Sequence, residues 1–596
     1  MPVAKSATSL APVDIRKVWD MLSPAQRRGA FTLMVWMILG MVLEALGVGL
    51  IVPALALMTQ QDPASHYPWM ERFVLWLDNP SQTRLVQIAM VTFVAIYLLK
   101  NLFLGFLAWR QTRFTYGIQV AFSEKLFAVY LRQPYTFHLQ RNSAQLIRNV
   151  NGEVTLFMQV IMAGLMIVAE LLVMLGIAVL LLLIEPRGTL IVVVVLVGAA
   201  GLFYRITRRY IAQWGVARLH HDRLRLKHLQ QGLGGVKDVK LLGRERDFLE
   251  QFGIHNVGSA RVNRLQATVQ QLPRLWLEML GVVGLATLVL AMLAAGQSLA
   301  SIVPTVGLFV VAAFRLMPSV NRVLAAMQTL RYSGPVVKTL HTEFGLEANA
   351  LDSVVEQGLL QFERELRVDG VSYAYPGAEQ ASLKRVDLHI SKGELVGLIG
   401  ASGSGKSTLI DLVLGLLAPD SGQITADGVD IHAKLRAWQN QIGYVPQSIY
   451  LTDDTLRRNV AFGLPKEEID DVAVKQAIRA AQLEEFVDSL ADGLDTVVGE
   501  RGVRLSGGQR QRIGIARALY HDPAILVLDE ATSSLDSATE REVMRAVQQM
   551  RGNKTVLISA HRLTTVEACD HLYRLEHGCV TAHGTPEGVL GALRSA

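Results

Sequence analysis

The run Gly400-Ala401-Ser402-Gly403-Ser404-Gly405-Lys406-Ser407-Thr408 fits G-x-x-x-x-G-K-[ST], and its chemistry is phosphate binding. Glycines let backbone N–H groups curl around phosphate oxygens with no Cβ in the way. A helix that starts there adds partial positive charge. Lys406 is suited to reach the β- and γ-phosphates of a nucleotide, and the Ser407 hydroxyl to ligate Mg²⁺. A second constellation lies downstream. Ile525-Leu526-Val527-Leu528-Asp529-Glu530 reads as a buried strand ending in two carboxylates. Asp529 is suited to hold the metal, directly or through water, and Glu530 to polarise an attacking water. Around these stand Tyr444-Val445-Pro446-Gln447, Val498-Gly499-Glu500-Arg501-Gly502, Leu505-Ser506-Gly507-Gly508-Gln509, Ser533-Ser534-Leu535-Asp536 and Leu557-Ile558-Ser559-Ala560-His561. His561 falls at a strand end, within reach of a γ-phosphate. Upstream, Tyr375 offers an aromatic face for adenine, with core packing as the bland alternative.

These side chains need elements to aim them. The apolar run Leu395-Val396-Gly397-Leu398-Ile399 reads as a buried strand before the phosphate loop, and Leu409-Ile410-Asp411-Leu412-Val413-Leu414 as a helix after it. That strand–loop–helix context distinguishes the motif from a Gly/Ser-rich surface turn. From about residue 361 to 596 short strands alternate with helices, the α/β pattern. Residues 337–360 are polar and mixed and read as a linker.

The first half is a different material. Of 596 residues, 51% are hydrophobic and only 18% charged, below the roughly 25% of soluble domains. Mean hydropathy is +0.30, and the two facts together point to a membrane protein. Apolar stretches recur at about 29–58, 85–109, 157–184, 188–204, 273–296 and 301–327. Each can cross a hydrocarbon core of about 30 Å, which takes about 20 residues. The first run is too long for a cleaved signal peptide. Residues 1–28 are polar and basic, with Ile15, Val18, Trp19 and Leu22 on one helical face, as in a segment lying on the membrane surface. The net charge of +6 is modest, but its placement is informative. The loop 110–156 carries Arg110, Arg113, Lys125, Arg132, Arg141 and Arg148, and the loop 205–272 is richer still, whereas 59–84 has only Arg72 and Arg84. Both termini and the two long loops therefore face the cytoplasm. The loops read as helical extensions whose tips, Tyr135-Thr136-Phe137-His138 and Gly234-Gly235-Val236-Lys237, are candidates for docking onto the ATPase. In 59–84, Trp69, Phe73, Trp76 and Leu77 share one helical face, suited either to lipid headgroups or to packing. The two cysteines, Cys569 and Cys579, form no paired motif and read as filler in a reducing compartment.

Ionisable residues inside spans are costly and default to functional hypotheses. Here they are Glu44, Lys100, Glu170, Glu278 and Arg315, with Arg274 and Arg322 near inner span ends. Lys100, Arg274, Arg315 and Arg322 could form a cationic belt for an anionic substrate group such as a phosphate. The competing expectation is that Glu44, Glu170 and Glu278 neutralise these bases in pairs.

In this order and spacing the motifs resemble an ATP-binding cassette (ABC) transporter along nearly the whole chain. The resemblance implies a multi-domain membrane protein, an all-α six-helix transmembrane domain (29–336) followed by an α/β P-loop ATPase, with ATP and Mg²⁺ as cofactors. It implies that Tyr375 stacks on adenine and that Gly400, Ser402, Gly403, Ser404, Gly405, Lys406, Ser407 and Thr408 cradle the phosphates. Ser407, Gln447 and Asp529 would hold Mg²⁺, and Glu530, Gln447 and His561 would serve hydrolysis. Ser506, Gly507, Gly508, Gln509 and Asp536 would complete a partner subunit's ATP site. One cassette with six spans is a half-transporter, so a homodimer is implied. The Asp536 segment reads Ser-Ser-Leu-Asp rather than the commoner Ser-Ala-Leu-Asp. The stretches Gly215-Val216-Ala217-Arg218, Leu272-Pro273-Arg274-Leu275-Trp276-Leu277-Glu278 and Phe314-Arg315-Leu316-Met317-Pro318-Ser319 look like those of bacterial lipid-linked oligosaccharide flippases. Those proteins move polyprenyl-pyrophosphate glycans to the outer leaflet of the inner membrane, and the likeness would put the four cations at the pyrophosphate. A multidrug or lipid A-type exporter is the alternative. An ATP-gated channel or a regulatory subunit is a different class, disfavoured by the complete set Lys406, Gln447, Asp529, Glu530 and His561. Nucleic-acid-binding relatives of the cassette lack six spans.

Overall fold

The structure, a computed structural model, describes residues 14–50, 82–184, 186–294, 299–346, 360–499, 502–503, 505–531, 537–560 and 562–594. The chain divides into two units. One is Met1–Gln133 with Arg141–Ala350, and the other is Pro134–Gln140 with Leu351–Ala596.

The first unit is helical. After α1 (Ile15–Met21), N-capped by Asp14, come α2 (Pro24–Gly49) and α3 (Gln82–Leu131). The short α4 (Tyr135–Gln140) belongs to the second unit. Then follow α5 (Val154–Ile184), α6 (Pro186–Gly234), α7 (Glu245–Ala294), α8 (Leu299–Ser333) and α9 (Pro335–Phe344). Among the described residues, four stretches are long and apolar enough to cross a membrane: Pro24–Gly47, Val86–Leu131, Ser143–Leu183 and Glu245–Ala294. The expected segments 188–204 and 301–327 fall inside α6 and α8. The external aromatic segment at Trp69–Leu77 lies outside the described residues.

The two long basic loops are helical, as their sequence implies. α3 and α7 each run 50 residues, roughly 75 Å at the α-helical rise, against a core of about 30 Å. The surplus is a polar stalk. Its interior is knotted by aromatic and polar contacts. Phe122 stacks on Phe157 at 5.2 Å and meets Phe344 edge-on at 5.0 Å. Tyr130 donates to the buried carboxylate of Glu343 at 2.9 Å, Arg141 donates to its other oxygen at 2.9 Å, and Asn149 donates to the Tyr130 hydroxyl at 3.0 Å. A buried carboxylate so filled stiffens its surroundings. It also corrects the linker boundary. Residues 337–344, expected as polar linker, continue helix α9, which buries Val336, Val337, Leu340 and Glu343. Apolar side chains at i, i+1 and i+4 give that helix a face to bury.

The second unit holds two sheets. One is antiparallel, in the order β2-β1-β4-β5, from β1 (Glu365–Tyr373), β2 (Leu383–Ser391), β4 (Ser421–Ala426) and β5 (Val429–Asp430). The other has the order β10-β9-β3-β8-β7-β6, from β3 (Leu395–Ile399), β6 (Ile442–Val445), β7 (Ile525–Asp529), β8 (Thr555–Ser559), β9 (His571–Glu576) and β10 (Cys579–Gly584). Its strands β9-β3-β8-β7-β6 are parallel, and β10 closes the edge antiparallel to β9. β3, β7 and β8 are buried at every position, as strands covered on both faces must be. Parallel pairing brings their carboxyl ends to one edge, where α/β folds place ligands.

Candidate functional site

The phosphate loop leaves β3 at Ile399 and enters α10 (Lys406–Val413). Gly400 and Gly405 have φ of 154° and 105°. A Cβ on Gly400 would stand 2.2 Å from the Leu575 carbonyl oxygen, and one on Gly405 would stand 2.7 Å from Leu383 Cδ2. Neither position accepts a side chain. Gly403, by contrast, has nothing within 4 Å of its Cβ position, which leaves room on that side of the loop. Lys406 is buried and donates to the carbonyls of Gly400 and Ala401 at 2.8 and 3.1 Å, so it folds back over the loop that it follows. Burial lowers its pKa, and the charges of Glu530 and Asp529 act against that shift. Tyr375 reaches the same helix, with its hydroxyl 3.3 Å from Thr408 Oγ1, and its ring meets Tyr373 edge-on at 5.1 Å.

Asp529 ends β7 opposite Ser559 at the end of β8, and Glu530 is the next residue. Burial raises the Asp529 pKa, as does the charge of Glu530; Ser559, Ser407 and Lys406 oppose the shift. Glu530 sits at φ 49°, a left-handed conformation that costs a non-glycine residue energy, and its N–H is fixed to the Ser559 carbonyl at 3.0 Å. Gln447, just past β6, donates from Nε2 to Glu530 Oε2 at 2.6 Å. Asp411 was not singled out as a site residue. It lies one turn beyond Ser407 on α10, and burial together with the Asp529 charge pushes its pKa up to about 6. The i, i+4 spacing from Ser407 was the available signal. Tyr444, raised by burial and then by Asp529 and Asp411, adjoins the same group. Tyr135 of α4 is there too, within electrostatic reach of Asp411 and Tyr375.

The arrangement fits Mg²⁺ and a nucleotide. Buried Asp529 Oδ1 and Ser404 Oγ have no hydrogen-bond partner among the described residues, as expected of atoms awaiting a metal or a phosphate. Ser506 caps α11 (Gly507–Leu519) in a capping box: its hydroxyl accepts from Gln509 N at 3.2 Å, and Gln509 Oε1 accepts from Ser506 N at 2.8 Å. This fixes Gly507 and Gly508 at a helix N-terminus with its positive end outward. A cavity of about 550 Å³ runs from Gln447 to Gly507 and Arg510. Asp536 and His561 lie outside the described residues.

Among the described side chains of the helical unit, the expected intramembrane cations Lys100, Arg274 and Arg322 are paired. Lys100 and Glu44 are both buried and meet at 3.2 Å between α2 and α3. Arg322 grips Glu170 with two hydrogen bonds, at 2.5 and 3.0 Å, between α8 and α5. Arg274 reaches Glu278 one turn on, at 2.9 Å, exposed. Three of the four expected belt cations are therefore neutralised by carboxylates, and for the buried Lys100–Glu44 pair the reason is that a buried charge without a counter-ion costs several kcal/mol. The side chain of Arg315 is outside the described set. An open cavity of about 950 Å³ lies among α3, α5, α6, α7 and α8; its lining includes Gln159, Glu170, Arg218, Gln266, Gln270 and Tyr332.

Comparison with known proteins gives consistent results. Residues 383–533 match the ABC transporter family model, and residues 33–317 match that of the ABC transporter transmembrane region. The chain is 34% identical over 486 residues to the ATP-dependent lipid A-core flippase of Ralstonia nicotianae, covering 78% of this chain and 79% of that protein. The flippase of the same name from Thiobacillus denitrificans is 34% identical over 495 residues, covering 81% and 83%. A solved bacterial Atm1-family ABC exporter with ATP bound superposes with a TM-score of 0.75 at 23% identity, covering 96% of this chain and 97% of that one. That likeness is one of fold.

Proposed function

Because this chain belongs to the ABC transporter family and carries both its transmembrane region and its ATPase, we propose that it is a homodimeric half-transporter that flips a glycolipid from the cytoplasmic to the outer leaflet. The protein is an ATP-driven exporter, and its cassette uses ATP with Mg²⁺. In the reading proposed here, Lys406 and the loop amides hold the β- and γ-phosphates, with Tyr375 against the base. Ser407, Asp529 and Gln447 would hold Mg²⁺, which would supply positive charge to offset that of the phosphates. Glu530 polarises the water, with His561 beside the γ-phosphate. Ser506, Gly508 and Asp536 serve the partner's nucleotide, so hydrolysis needs two copies. Closure of the cassette pair then biases inward- against outward-open states of the helices. The basic loops put the ATPase and both termini in the cytoplasm, with the spans in the inner membrane.

The observation that carries the substrate reading is the cavity of about 950 Å³, whose wall combines amides and hydroxyls with apolar methyls. Sugars need hydrogen-bonding walls and acyl or prenyl chains need apolar ones. The names of the relatives favour a lipid A-type substrate, and the three stretches noted in the sequence favour a polyprenyl-pyrophosphate glycan. Both are glycolipids. A pyrophosphate at Lys100, Arg274 and Arg322 would have to compete with Glu44, Glu278 and Glu170. The test is reconstitution in liposomes with each labelled lipid in turn. The expected result is ATP-dependent movement of label between leaflets for one of them. Vigorous hydrolysis with both lipids static would refute the reading.

A further inference from the structure

We propose that Arg218 is the anchor for a phosphoryl group on the transported lipid's headgroup, an assignment that rests on the glycolipid reading above. Arg218 lies on α6, well past residue 204 where the apolar segment ends, and lines the large cavity. Gly215 sets its place. A Cβ there would stand 2.4 Å from the Tyr332 carbonyl oxygen, so α6 and α8 approach this closely only over a glycine. One turn later the Arg218 guanidinium lies 4.5 Å from the centre of the Tyr332 ring. Tyr332 is itself fixed, donating to Asn263 Oδ1 at 2.6 Å.

Two nitrogens of this guanidinium are not spent, although it also lies within hydrogen-bonding reach of Tyr332. Arg218 is only 4% exposed, yet its Nε and Nη2 have no hydrogen-bond partner among the described residues. The carboxylates in its surroundings make their direct contacts with others, although Glu153 lies within electrostatic reach of Arg218 and its Oε2 has no hydrogen-bond partner among the described residues. Glu153 pairs with Arg148, and Asp222 accepts from Ser259 at 2.7 Å and lies 3.6 Å from Arg225. A buried cation with idle donors is expensive unless something else fills them. A planar guanidinium stacked on an aromatic ring presents a fork that matches phosphate oxygens two at a time. The neighbouring amides of Gln159, Gln266 and Gln270 suit the hydroxyls of an attached sugar. The ion pairs deeper in the helices lack this feature, because each of their cations contacts a carboxylate directly. The site stands on the cytoplasmic side of the spans, where a headgroup would enter from the inner leaflet.

The test measures binding of two labelled lipids to the full-length protein in zwitterionic nanodiscs: a polyprenyl-pyrophosphate disaccharide and the same polyprenyl disaccharide without phosphate. The wild type should prefer the phosphorylated lipid by about tenfold or more. Arg218→Gln should erase that preference while leaving affinity for the neutral lipid nearly unchanged, and Arg218→Lys should keep part of it. An undiminished preference in Arg218→Gln overturns the anchor and leaves the glycolipid reading standing. Failure of the wild type to bind either lipid, and likewise lipid A with or without its phosphates, overturns the glycolipid reading, and the anchor with it. Inorganic pyrophosphate should not displace the lipid; displacement as effective as unlabelled lipid would mean a free-anion site and overturn the assignment. Should Arg218→Gln not fold, a photoreactive phosphonate lipid decides the matter on wild-type protein. Labelling at Tyr332, Asn263 or Gln266 supports the anchor, and labelling confined to the surroundings of Lys100 and Arg322 overturns it.

Discussion

The side-chain amide of Gln447 donates to the Glu530 carboxylate at 2.6 Å, across 83 residues of chain. Parallel strands make the meeting possible: Val445 of β6 lies opposite Leu528 of β7, so the residues just past each strand end face one another. Glu530 is thus held by the residue proposed above as a ligand of the metal.

Glu530→Gln should bind ATP and fail to turn it over, with kcat lower by about 10²–10⁴-fold. Phosphate release in detergent measures it. Wild-type hydrolysis in the variant would remove Glu530 from the reaction.

Lys406→Ala should weaken nucleotide binding by about tenfold or more, because it removes a charge-assisted contact to phosphate. A fluorescent ATP analogue reports the affinity. The same titration on Gly405→Ala separates charge from shape, since the added methyl would press on Leu383 Cδ2 at 2.7 Å without touching the charge.

Asp411 makes stability pH-dependent. Its carboxyl is raised from 3.8 to about 6 in the fold, so the fold favours the neutral form. That contribution is complete below about pH 4 and is lost as pH rises through about 6. Asp411→Asn stays neutral throughout. Its Tm relative to wild type should therefore rise between pH 5 and pH 7.5 in thermal unfolding of the full-length protein, where an unchanged difference would discount the titration (a range of about two units around the raised value).

Lys100→Met should take from the buried Glu44 carboxylate the ammonium it meets at 3.2 Å and destabilise the helical unit by about 3 kcal/mol. Adding Glu44→Gln should recover most of the loss. Thermal unfolding of the two variants in detergent makes the comparison, and additive losses would mean that the 3.2 Å pair is not a unit.

The legible part of this site was local. Gly400–Thr408 announces itself because one turn of chain supplies the loop, the lysine and the helix start, and the all-apolar runs of β3 and β7 announce buried parallel strands. The contact between Gln447 and Glu530 was not legible, because it depends on strand order rather than on spacing. The intramembrane charges show the same limit. Sequence counts Glu44, Glu170 and Glu278 against the bases, but helix packing decides that Glu170 goes to Arg322 while Glu278 turns to Arg274 on its own helix. The stretch around Gly215 and Arg218 was visible as a motif, yet the role of its glycine appears only when the Tyr332 carbonyl comes up against it. Residues 337–344 read as linker in the sequence because the apolar face of α9 is narrow and its remaining surface polar.

The little helix α4 has a consequence for anyone who would isolate the ATPase. It is encoded amid the membrane helices but grouped with the cassette, where Tyr135 adjoins Asp411, Tyr375 and Tyr444. A fragment begun at Leu351 would omit part of its own body and expose an aromatic corner that the intact chain covers. Excised cassettes would then report the acid–base behaviour of a wound surface, and a sequence-contiguous cut is the wrong scalpel for a discontinuous object.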